Sequence, residues 1–266
     1  MSENEIVFGV SKMGNTLSIP LLPAPRLAIC GTSGSGKSVL EANNILTQYM
    51  QKLRGNVIFT ALDPKITSLS HIAARLEVYE TEPANFLSRI QDFETTMSQR
   101  YAAMRDMGVS SLGRDDLERY PMHLLVLEEA MSIVQNEEVS KDASKKIMSL
   151  YTTILTRCRA ANMGVVMCSH SFSAECLPTV ARDQFNIRVI MQTSGTTNVA
   201  MLADPDEAPA HLIKHPGEFY FIASAGATPV RGKTWYTSDD EARAIAEAYS
   251  MDRHSSANSW NVEKPF

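Results

Sequence analysis

The chain has 266 residues, of which 44% are hydrophobic and 21% are charged, a composition typical of globular proteins that excludes a disordered chain. The length fits one large α/β domain or two small ones, and no apolar run approaches the ~20 residues of a membrane-spanning helix. The formal net charge of −5 argues against a surface coated with basic residues for nucleic acid, although it permits a locally basic channel.

The termini and the cysteines indicate a cytoplasmic protein. The segment Met1–Glu5 is acidic and lacks the basic and apolar regions of a signal peptide. Cys168, His170 and Cys176 lie close in sequence, but a fourth ligand is missing, so we do not expect a zinc site. Reduced thiols are the simplest interpretation because no C-x-x-C pair is present. The four cysteines are Cys30, Cys158, Cys168 and Cys176.

Short apolar runs alternate with helical periodicity along the chain. Ile6–Val10 and Thr16–Leu22 predict a hairpin, which we expect to form a lead-in over residues 1–25. Pro83 to about Met107 carries apolar residues at three- and four-residue steps and predicts a long helix. Shorter helices are predicted at Ala143–Ala161 and Asp239–Tyr249. Buried strands are predicted at Leu27–Cys30, Asn56–Leu62, His123–Leu127, Gly164–Ser169 and Asn186–Met191.

This alternation predicts the fold class and the domain limits. Strands of four to seven apolar residues that alternate with helices are typical of an α/β fold with a largely parallel sheet flanked by helices. We expect residues 26–249 to form one domain and residues 250–266 to be a polar C-terminal tail. Ligands in such sheets bind at the carboxyl ends of the strands.

The stretch from Gly31 to Ser38 fits the phosphate-binding pattern G-x-x-x-x-G-K-[ST] between a predicted strand and a predicted helix. Its glycines allow backbone N–H groups to turn toward a phosphate, and the helix N-terminus adds its dipole. Lys37 is expected to reach the β- and γ-phosphates, and Ser38 is expected to bind Mg²⁺. A glycine-rich turn that binds nothing is the alternative, which the strand and helix context disfavours. The predicted ATP-binding residues are Gly31, Thr32, Ser33, Gly34, Ser35, Gly36, Lys37, Ser38 and Val39.

A pair of acids ends the apolar strand His123–Leu127. Glu128 is expected to hold Mg²⁺ through water, and Glu129 is expected to polarise the attacking water as a general base. Two exposed carboxylates without a function are the alternative, but the phosphate-binding loop upstream favours the catalytic roles.

Further polar residues follow other strands or helices. His170, after the strand Gly164–Ser169, could sense the γ-phosphate or could be a structural histidine. Arg157 and Arg159 are candidates for a cation delivered to the transition state of a neighbouring subunit, although arginines at helix ends also cap carbonyls. Asp63-Pro64-Lys65 ends a strand and faces the expected phosphate site, or forms only a turn.

The order of these motifs resembles the motor domain of the FtsK/SpoIIIE family of DNA translocases, in the wider FtsK–HerA group. The Asp-Pro-Lys and Arg-Tyr-x-x-Met segments in this order are more specific than the phosphate-binding loop alone. The resemblance runs from about Val7 to Tyr249. It is carried by Pro25–Ser38, Leu62–Lys65, Ser98–Met104, Leu125–Ala130, Arg157–Ala161 with Gly164, Pro229–Arg231 and Thr237–Glu241.

The resemblance implies a RecA-like P-loop ATPase that works as a ring, commonly of six subunits, and moves double-stranded DNA. ATP would lie between neighbours, with Lys37, Ser38 and Glu129 from one subunit and an arginine from the next. Loops facing the pore would contact the DNA backbone without sequence preference, and our candidates are Asn136–Lys146 and Ser171–Arg182. A solvated helix start is the alternative for Lys141–Lys146.

The chain departs from the family pattern in two places. Glu128 stands where the family usually has Asp, and Cys168–Phe172 replaces the usual Ala-Thr-Gln-Arg-Pro. The family's membrane region and winged-helix domain are not in the sequence, which suggests a stand-alone motor of a plasmid, mobile element or virus, with a membrane- or capsid-associated partner protein. The leading interpretation is a DNA translocase for plasmid transfer or segregation. The alternatives are a viral genome-packaging ATPase and a nucleotide-binding scaffold with weak or no hydrolysis; a metabolic kinase is disfavoured because an arginine-rich lid is missing.

Overall fold

Ten strands join into one mixed sheet in the computed structural model, which describes residues 3–250. The order across the sheet is β2-β1-β10-β9-β8-β3-β7-β6-β4-β5. The six strands from β8 to β5 run parallel, and the four from β2 to β9 extend the sheet in antiparallel fashion. The strands are β1 (Glu5–Ser11), β2 (Thr16–Pro20), β3 (Arg26–Cys30), β4 (Val57–Leu62), β5 (Val78–Glu80), β6 (Met122–Leu127), β7 (Met163–Ser169), β8 (Ile187–Ile190), β9 (Glu218–Ile222) and β10 (Val230–Lys233).

Helices cover both faces of this sheet, which confirms the predicted α/β class. The helix after β3 starts with π-type hydrogen bonding and continues as an α-helix, and we name the two parts together α1. Short 3-10 turns connect several elements, among them Ser70–Arg75 and Cys158–Ala161. The helices are α1 (Val39–Leu46 and Thr47–Leu53), α2 (Pro83–Met107), α3 (Ala130–Val134), α4 (Lys141–Arg157), α5 (Thr179–Arg182), α6 (Thr196–Ala200) and α7 (Asp239–Ser250).

Two apolar cores sandwich the sheet, and β6 shows how the sequence builds them. Leu125 and Leu127 belong to the core that includes residues of α2 and α4, whereas Leu124 and Val126 belong to the core that includes residues of α1 and α7. Because successive side chains of a strand point to opposite faces, a strand covered on both faces is apolar throughout. The same division separates Cys168 from Cys176, which lie in different cores.

The N-terminal hairpin is joined to the main sheet because β1 pairs with β10. Gly9 allows this close approach, since a Cβ at this position would lie 2.2 Å from the carbonyl oxygen of Lys233. Gln48 of α1 supports the hairpin by accepting from the backbone N–H of Val7 at 2.9 Å and donating to its carbonyl at 2.8 Å. The predicted tail 250–266 lies outside the described residues except for Ser250, and no helix within 3–250 is long and apolar enough to cross a membrane.

The residue patterns predict neither β5 nor β9, whereas β10 overlaps Pro229–Arg231, which resembles the closing strand of the FtsK/SpoIIIE family. Both β9 and β10 matter for the site. β9 and β10 run antiparallel to their neighbours, so the chain returns twice across the sheet after β8. The start of β9 and the end of β10 therefore lie at the sheet edge where the parallel strands end. This is the edge at which the phosphate-binding loop follows β3.

Candidate nucleotide-binding site

The predicted phosphate-binding loop joins β3 to α1 with the backbone that its pattern requires. Gly34 has φ 77° and Gly36 has φ 98°, in the left-handed region that glycine adopts at little cost. The Lys37 ammonium group donates to the carbonyl oxygen of Gly31 at 2.7 Å, so the lysine is folded back over its own loop. The amide of Leu40 donates to the Gly36 carbonyl at 3.0 Å, which starts the helix directly behind the loop.

This loop forms the floor of a cleft of about 670 Å³, a volume typical of small-molecule sites. Lys65, Ser68 and Glu128 line the cleft from the ends of β4 and β6. Pro216, Gly217 and the segment 233–236 line it from the start of β9 and the end of β10. Residues of the predicted loop itself complete the lining, from Thr32 to Val39.

Ser38 and Glu128 are brought together as the sequence predicts for a Mg²⁺ site. The Ser38 hydroxyl lies 3.5 Å from Glu128 Oε1. Glu128 is 1% exposed, and its Oε2 has no hydrogen-bond partner among the described residues. Two hard oxygen ligands and an orphaned carboxylate oxygen fit a small divalent cation. The longer side chain of Glu, compared with the expected Asp, still reaches the serine.

A second buried acid, Glu41 of α1, lies behind Glu128, and no sequence motif predicts it. Oxygens of Glu41 and Glu128 and the Cys168 sulfur all lie within 4.8 Å of one another. Glu41 is fully buried, with Glu128 and Cys168 as its polar side-chain neighbours. Burial and the neighbouring Glu128 raise the pKa of Glu41 well above its ordinary value.

Glu129, the predicted general base, follows Glu128 directly after β6, and its backbone is strained. Its φ of 52° lies in the left-handed region, which is uncommon for a residue other than glycine and is often associated with functional sites. His170 Nδ1 lies 2.6 Å from Oε1, and the His170 amide donates to the same oxygen at 3.0 Å. Lys65 Nζ donates to Oε2 at 2.8 Å. Both oxygens of the carboxylate are therefore held.

These contacts set the charge of the cluster. Burial alone would raise the pKa of Glu129, but hydrogen bonds from Lys65 and His170 outweigh it and lower the pKa to about 2. Burial would lower the pKa of Lys65, but its hydrogen bond and ion pair with Glu129 raise it. Because a carboxylate can only accept, His170 carries its proton on Nδ1.

Asp63 explains why Lys65 lies where it does. Asp63 is fully buried at the end of β4, and its Oδ1 accepts from the Lys65 amide at 3.1 Å. Its Oδ2 accepts from the Leu69 amide at 3.0 Å and from the Tyr79 hydroxyl at 3.1 Å. The Asp-Pro-Lys segment is therefore an ordered turn that presents its lysine to Glu129, which combines the two alternatives left open by the sequence.

Arg157 and Arg159 are not brought to this cleft. They precede β7, whereas the cleft lies where β7 ends, so they lie at the opposite edge of the sheet. The Arg157 guanidinium lies 4.5 Å from the centre of the Tyr101 ring. Arg159 is exposed, and within residues 3–250 its side chain forms no hydrogen bond or ion pair. Neither arginine can act on the cleft of its own subunit.

The two candidate DNA loops are partly helical. Lys141, Lys145 and Lys146 lie in the first turns of α4, where the Ser140 hydroxyl caps the helix by accepting from the Ala143 amide at 3.2 Å. This part of the candidate is therefore the start of a helix and not a loop, and its three lysines are exposed. The segment 171–182 ends in α5 and buries Phe172, Cys176, Leu177 and Ala181.

Comparisons with known proteins agree with the fold and the order of the motifs. The model of the FtsK/SpoIIIE family matches residues 1–183. The DNA translocase FtsK 2 of Ralstonia nicotianae is 23% identical over 283 residues, covering 92% of this chain and 34% of that protein. The DNA translocase FtsK of Lactococcus lactis subsp. cremoris is 24% identical over 258 residues, covering 91% of this chain and 33% of that protein. The chain thus spans about a third of the length of these curated relatives.

Solved structures share the same fold. The pCW3 conjugation coupling protein TcpA, in its monomer form with ATPgS, superposes with a TM-score of 0.78 at 19% identity over 93% of this chain and 71% of that chain. The cytoplasmic domain of the type VII secretion ATPase EccC from Thermomonospora curvata gives a TM-score of 0.68 at 18% identity over 94% of this chain and 31% of that chain.

Proposed function

We propose that this chain, which belongs to the FtsK/SpoIIIE family, is an ATP-dependent translocase of double-stranded DNA. One observation carries the proposal. The phosphate loop and the Ser38–Glu128 pair line one cleft where the parallel strands end, and Lys65, which also lines this cleft, donates a hydrogen bond to Glu129 behind it. Relatives named as DNA translocases support DNA as the substrate that is moved.

The residues of the cleft and the Glu129 cluster behind it divide the work of phosphoryl transfer. The loop from Gly31 to Ser38 binds the phosphates through backbone N–H groups, and Lys37 turns from its loop carbonyl to the phosphates. Mg²⁺ would be held by Ser38 and Glu128 and would neutralise phosphate charge. Glu129 orients a water and accepts its proton, while Lys65 and His170 fix the orientation of that carboxylate.

We further propose a ring of subunits, by inference six, in the cytoplasm. Four unpaired thiols, at Cys30, Cys158, Cys168 and Cys176, fit a reducing compartment. The position of Arg159 at the sheet edge opposite its own cleft supports a role in the cleft of a neighbour. Exposed Lys141, Lys145 and Lys146 supply phosphate contacts that ring symmetry would multiply. Plasmid transfer, segregation and genome packaging all suit such a motor.

A nucleotide-binding scaffold with little turnover is the second candidate. The double restraint on Glu129 favours it, because a carboxylate whose pKa is lowered to about 2 is a weak base. Release of one partner would be needed before Glu129 could accept a proton readily.

Steady-state ATP hydrolysis with and without linear duplex DNA separates the two candidates. We expect DNA to stimulate hydrolysis in the wild type, and we expect Glu129→Gln to abolish hydrolysis while ATP still binds. Glu118→Gln is the control, because Glu118 is an exposed acid before β6 at the opposite edge of the sheet. If wild type and Glu129→Gln both hydrolysed ATP at a low rate that DNA did not change, the scaffold would be favoured over the motor.

A further inference from the structure

Two adjacent aromatic residues line the cleft without a role in the chemistry described so far. Trp235 is 38% exposed and Tyr236 is 79% exposed, and both follow β10. Large aromatic side chains usually bury most of their surface, so two exposed neighbours on the wall of a ligand-sized cleft require an explanation.

The topology puts these aromatics on the side of the phosphate loop away from the acids. In the sheet, β8, β9 and β10 lie on one side of β3, and β7, β6 and β4 lie on the other. Lys65 and Glu128 follow strands of the second group, whereas Trp235 and Tyr236 follow a strand of the first. With the terminal phosphate directed toward Glu128, the nucleoside end of a nucleotide extends toward β9 and β10.

The backbone that carries the aromatics is tied to the phosphate loop. The Gly217 amide donates to the Ser35 carbonyl of the loop at 2.9 Å, and the Thr234 amide donates to the Gly217 carbonyl at 2.9 Å. The segment after β10 is thus connected to the phosphate loop through two consecutive hydrogen bonds.

Two buried asparagines of α1 hold the same segment from the other side. Asn44 Nδ2 donates to the Thr234 hydroxyl at 2.7 Å and to the Trp235 carbonyl at 3.0 Å. The Thr237 hydroxyl donates to Asn44 Oδ1 at 2.6 Å, and Asn43 Nδ2 donates to the Thr237 carbonyl at 2.9 Å. The helix that starts at the phosphate loop therefore also fixes the backbone on which the aromatic side chains stand.

We propose that Trp235 and Tyr236 form the stacking surface for the purine ring of the bound nucleotide, and that Asn43 and Asn44 are positioning residues for this surface. The inference rests on the proposed ATP binding and adds the part of the ligand that the phosphate loop does not recognise. A flat ring with apolar faces is the occupant that suits exposed aromatics on a fixed backbone. Because stacking uses the face of the base, the surface favours a nucleotide over a bare polyphosphate without requiring adenine.

Calorimetric titration with ATP and with inorganic tripolyphosphate, each with Mg²⁺, tests the inference. We expect Trp235→Ala and Tyr236→Ala each to weaken ATP binding by about tenfold, the usual size of a base–aromatic stack, and to leave tripolyphosphate binding within about twofold. Tyr236→Phe keeps the aromatic ring and should bind ATP with the affinity of the wild type. Leu212→Ala is the control, because Leu212 is 61% exposed and does not line the cleft.

Asn44→Ala tests the positioning role. If Asn44 positions the aromatic segment, Asn44→Ala should weaken ATP binding and leave tripolyphosphate binding unchanged. If the variant weakens the binding of both ligands, the substitution has damaged α1 in general, and the positioning role is contradicted. A spectroscopic readout is available because the chain has two tryptophans, Trp235 and Trp260. In a Trp260→Phe background, ATP should change the Trp235 fluorescence and tripolyphosphate should not.

The outcomes separate this inference from the proposed function. Equal ATP affinity in wild type, Trp235→Ala and Tyr236→Ala, with tripolyphosphate still bound, would overturn the stacking surface and leave the phosphate site in place. A wild type that binds neither ATP nor tripolyphosphate would overturn the proposed function, and the stacking surface with it.

Discussion

Lys65 Nζ lies 2.8 Å from Glu129 Oε2, so the lysine that follows β4 forms an ion pair with the acid that follows β6. His170 holds the other carboxylate oxygen at 2.6 Å from the end of β7. Three neighbouring strands of the sheet thus each supply one member of the cluster. These contacts orient the Glu129 carboxylate and keep it charged, and they also make it a weaker base.

We predict that Lys65→Met lowers the free energy of unfolding by about 1 kcal/mol at pH 7, since half of the Lys65 side chain is exposed and screening limits the pair. The pKa of Glu129 is about 2 in the folded protein against an ordinary value of 4.5. A lowered pKa stabilises the fold above pH 4.5, and this stabilisation is lost as the pH falls toward 2. The difference in the free energy of unfolding between wild type and Lys65→Met should therefore become smaller below about pH 4.5.

Urea unfolding at pH 7 and at pH 3.5 measures this difference. Lys214→Met is the matched control, because Lys214 is exposed and lies outside the cleft. A loss of stability in Lys65→Met that is the same at both pH values would show that the lysine acts through its packing and not through the charge of Glu129.

The raised pKa of Glu41 predicts a pH dependence of the free energy of unfolding that is opposite in sign to that from Glu129. Burial and Glu128 raise the pKa of Glu41 above the ordinary value of 4.5. The folded protein keeps a proton that the unfolded chain releases, so stability falls as the pH rises above 4.5, by up to about 1.4 kcal/mol per pH unit. Glu41→Gln cannot ionise and should remove this slope, which makes the variant more stable than wild type at pH 8.

Thermal unfolding from pH 5 to pH 8, with EDTA to remove divalent cations, checks the Glu41 prediction. Glu118→Gln makes the same substitution at an exposed position and is the control. Its thermal unfolding should follow that of the wild type at each pH. If the difference in stability between Glu41→Gln and wild type stayed constant across this range, the pKa of Glu41 would not be raised and the prediction would be wrong.

Lys37→Ala should abolish ATP binding with little effect on stability. The ammonium group donates to the Gly31 carbonyl at 2.7 Å and to the Thr32 carbonyl at 3.4 Å, both within the phosphate loop. Its loss therefore leaves the two apolar cores intact. Calorimetric titration with ATP and the melting temperature of the variant are the measurements, and unchanged ATP affinity would refute the phosphate site.

Local patterns in the sequence were sufficient for five of the six parallel strands, all except β5. The helix Pro83–Met107 was predicted with the bounds that α2 has, because a proline starts it, Gly108 ends it in a left-handed conformation and Phe86, Ile90 and Phe93 mark its buried face. The apolar runs of β3, β4, β6, β7 and β8 were also recognised, since strands covered on both faces are apolar throughout.

The remainder of the site depends on pairing that local patterns do not specify. The contact between Lys65 and Glu129 requires β4 and β6 to be neighbours, an order that neither strand encodes alone. The placement of Trp235 and Tyr236 requires the antiparallel return through β9 and β10, which an alternation of strands and helices does not predict. The run Glu218–Ile222 was the available signal for that return, since four of its five residues are apolar.

Arg159 is predicted to act in the cleft of a neighbouring subunit. It lies at the sheet edge opposite its own cleft, and its side chain has no hydrogen bond or ion pair within the described residues. Arg157 is engaged over the Tyr101 ring at 4.5 Å and serves as the matched control. We expect Arg159→Ala to reduce DNA-stimulated hydrolysis by about a hundredfold, the usual size of one lost transition-state donor, and Arg157→Ala to reduce it less.

Mixing two inactive variants tests whether the arginine acts between subunits. Lys37→Ala lacks a working phosphate site but keeps Arg159, whereas Arg159→Ala keeps the phosphate site and lacks the arginine. In a ring with head-to-tail contacts, an Arg159→Ala subunit beside a Lys37→Ala subunit forms one complete site. An equal mixture should therefore recover up to about a quarter of the wild-type rate, if sites act independently and subunits mix at random. A mixture as inactive as either variant alone would contradict the shared site.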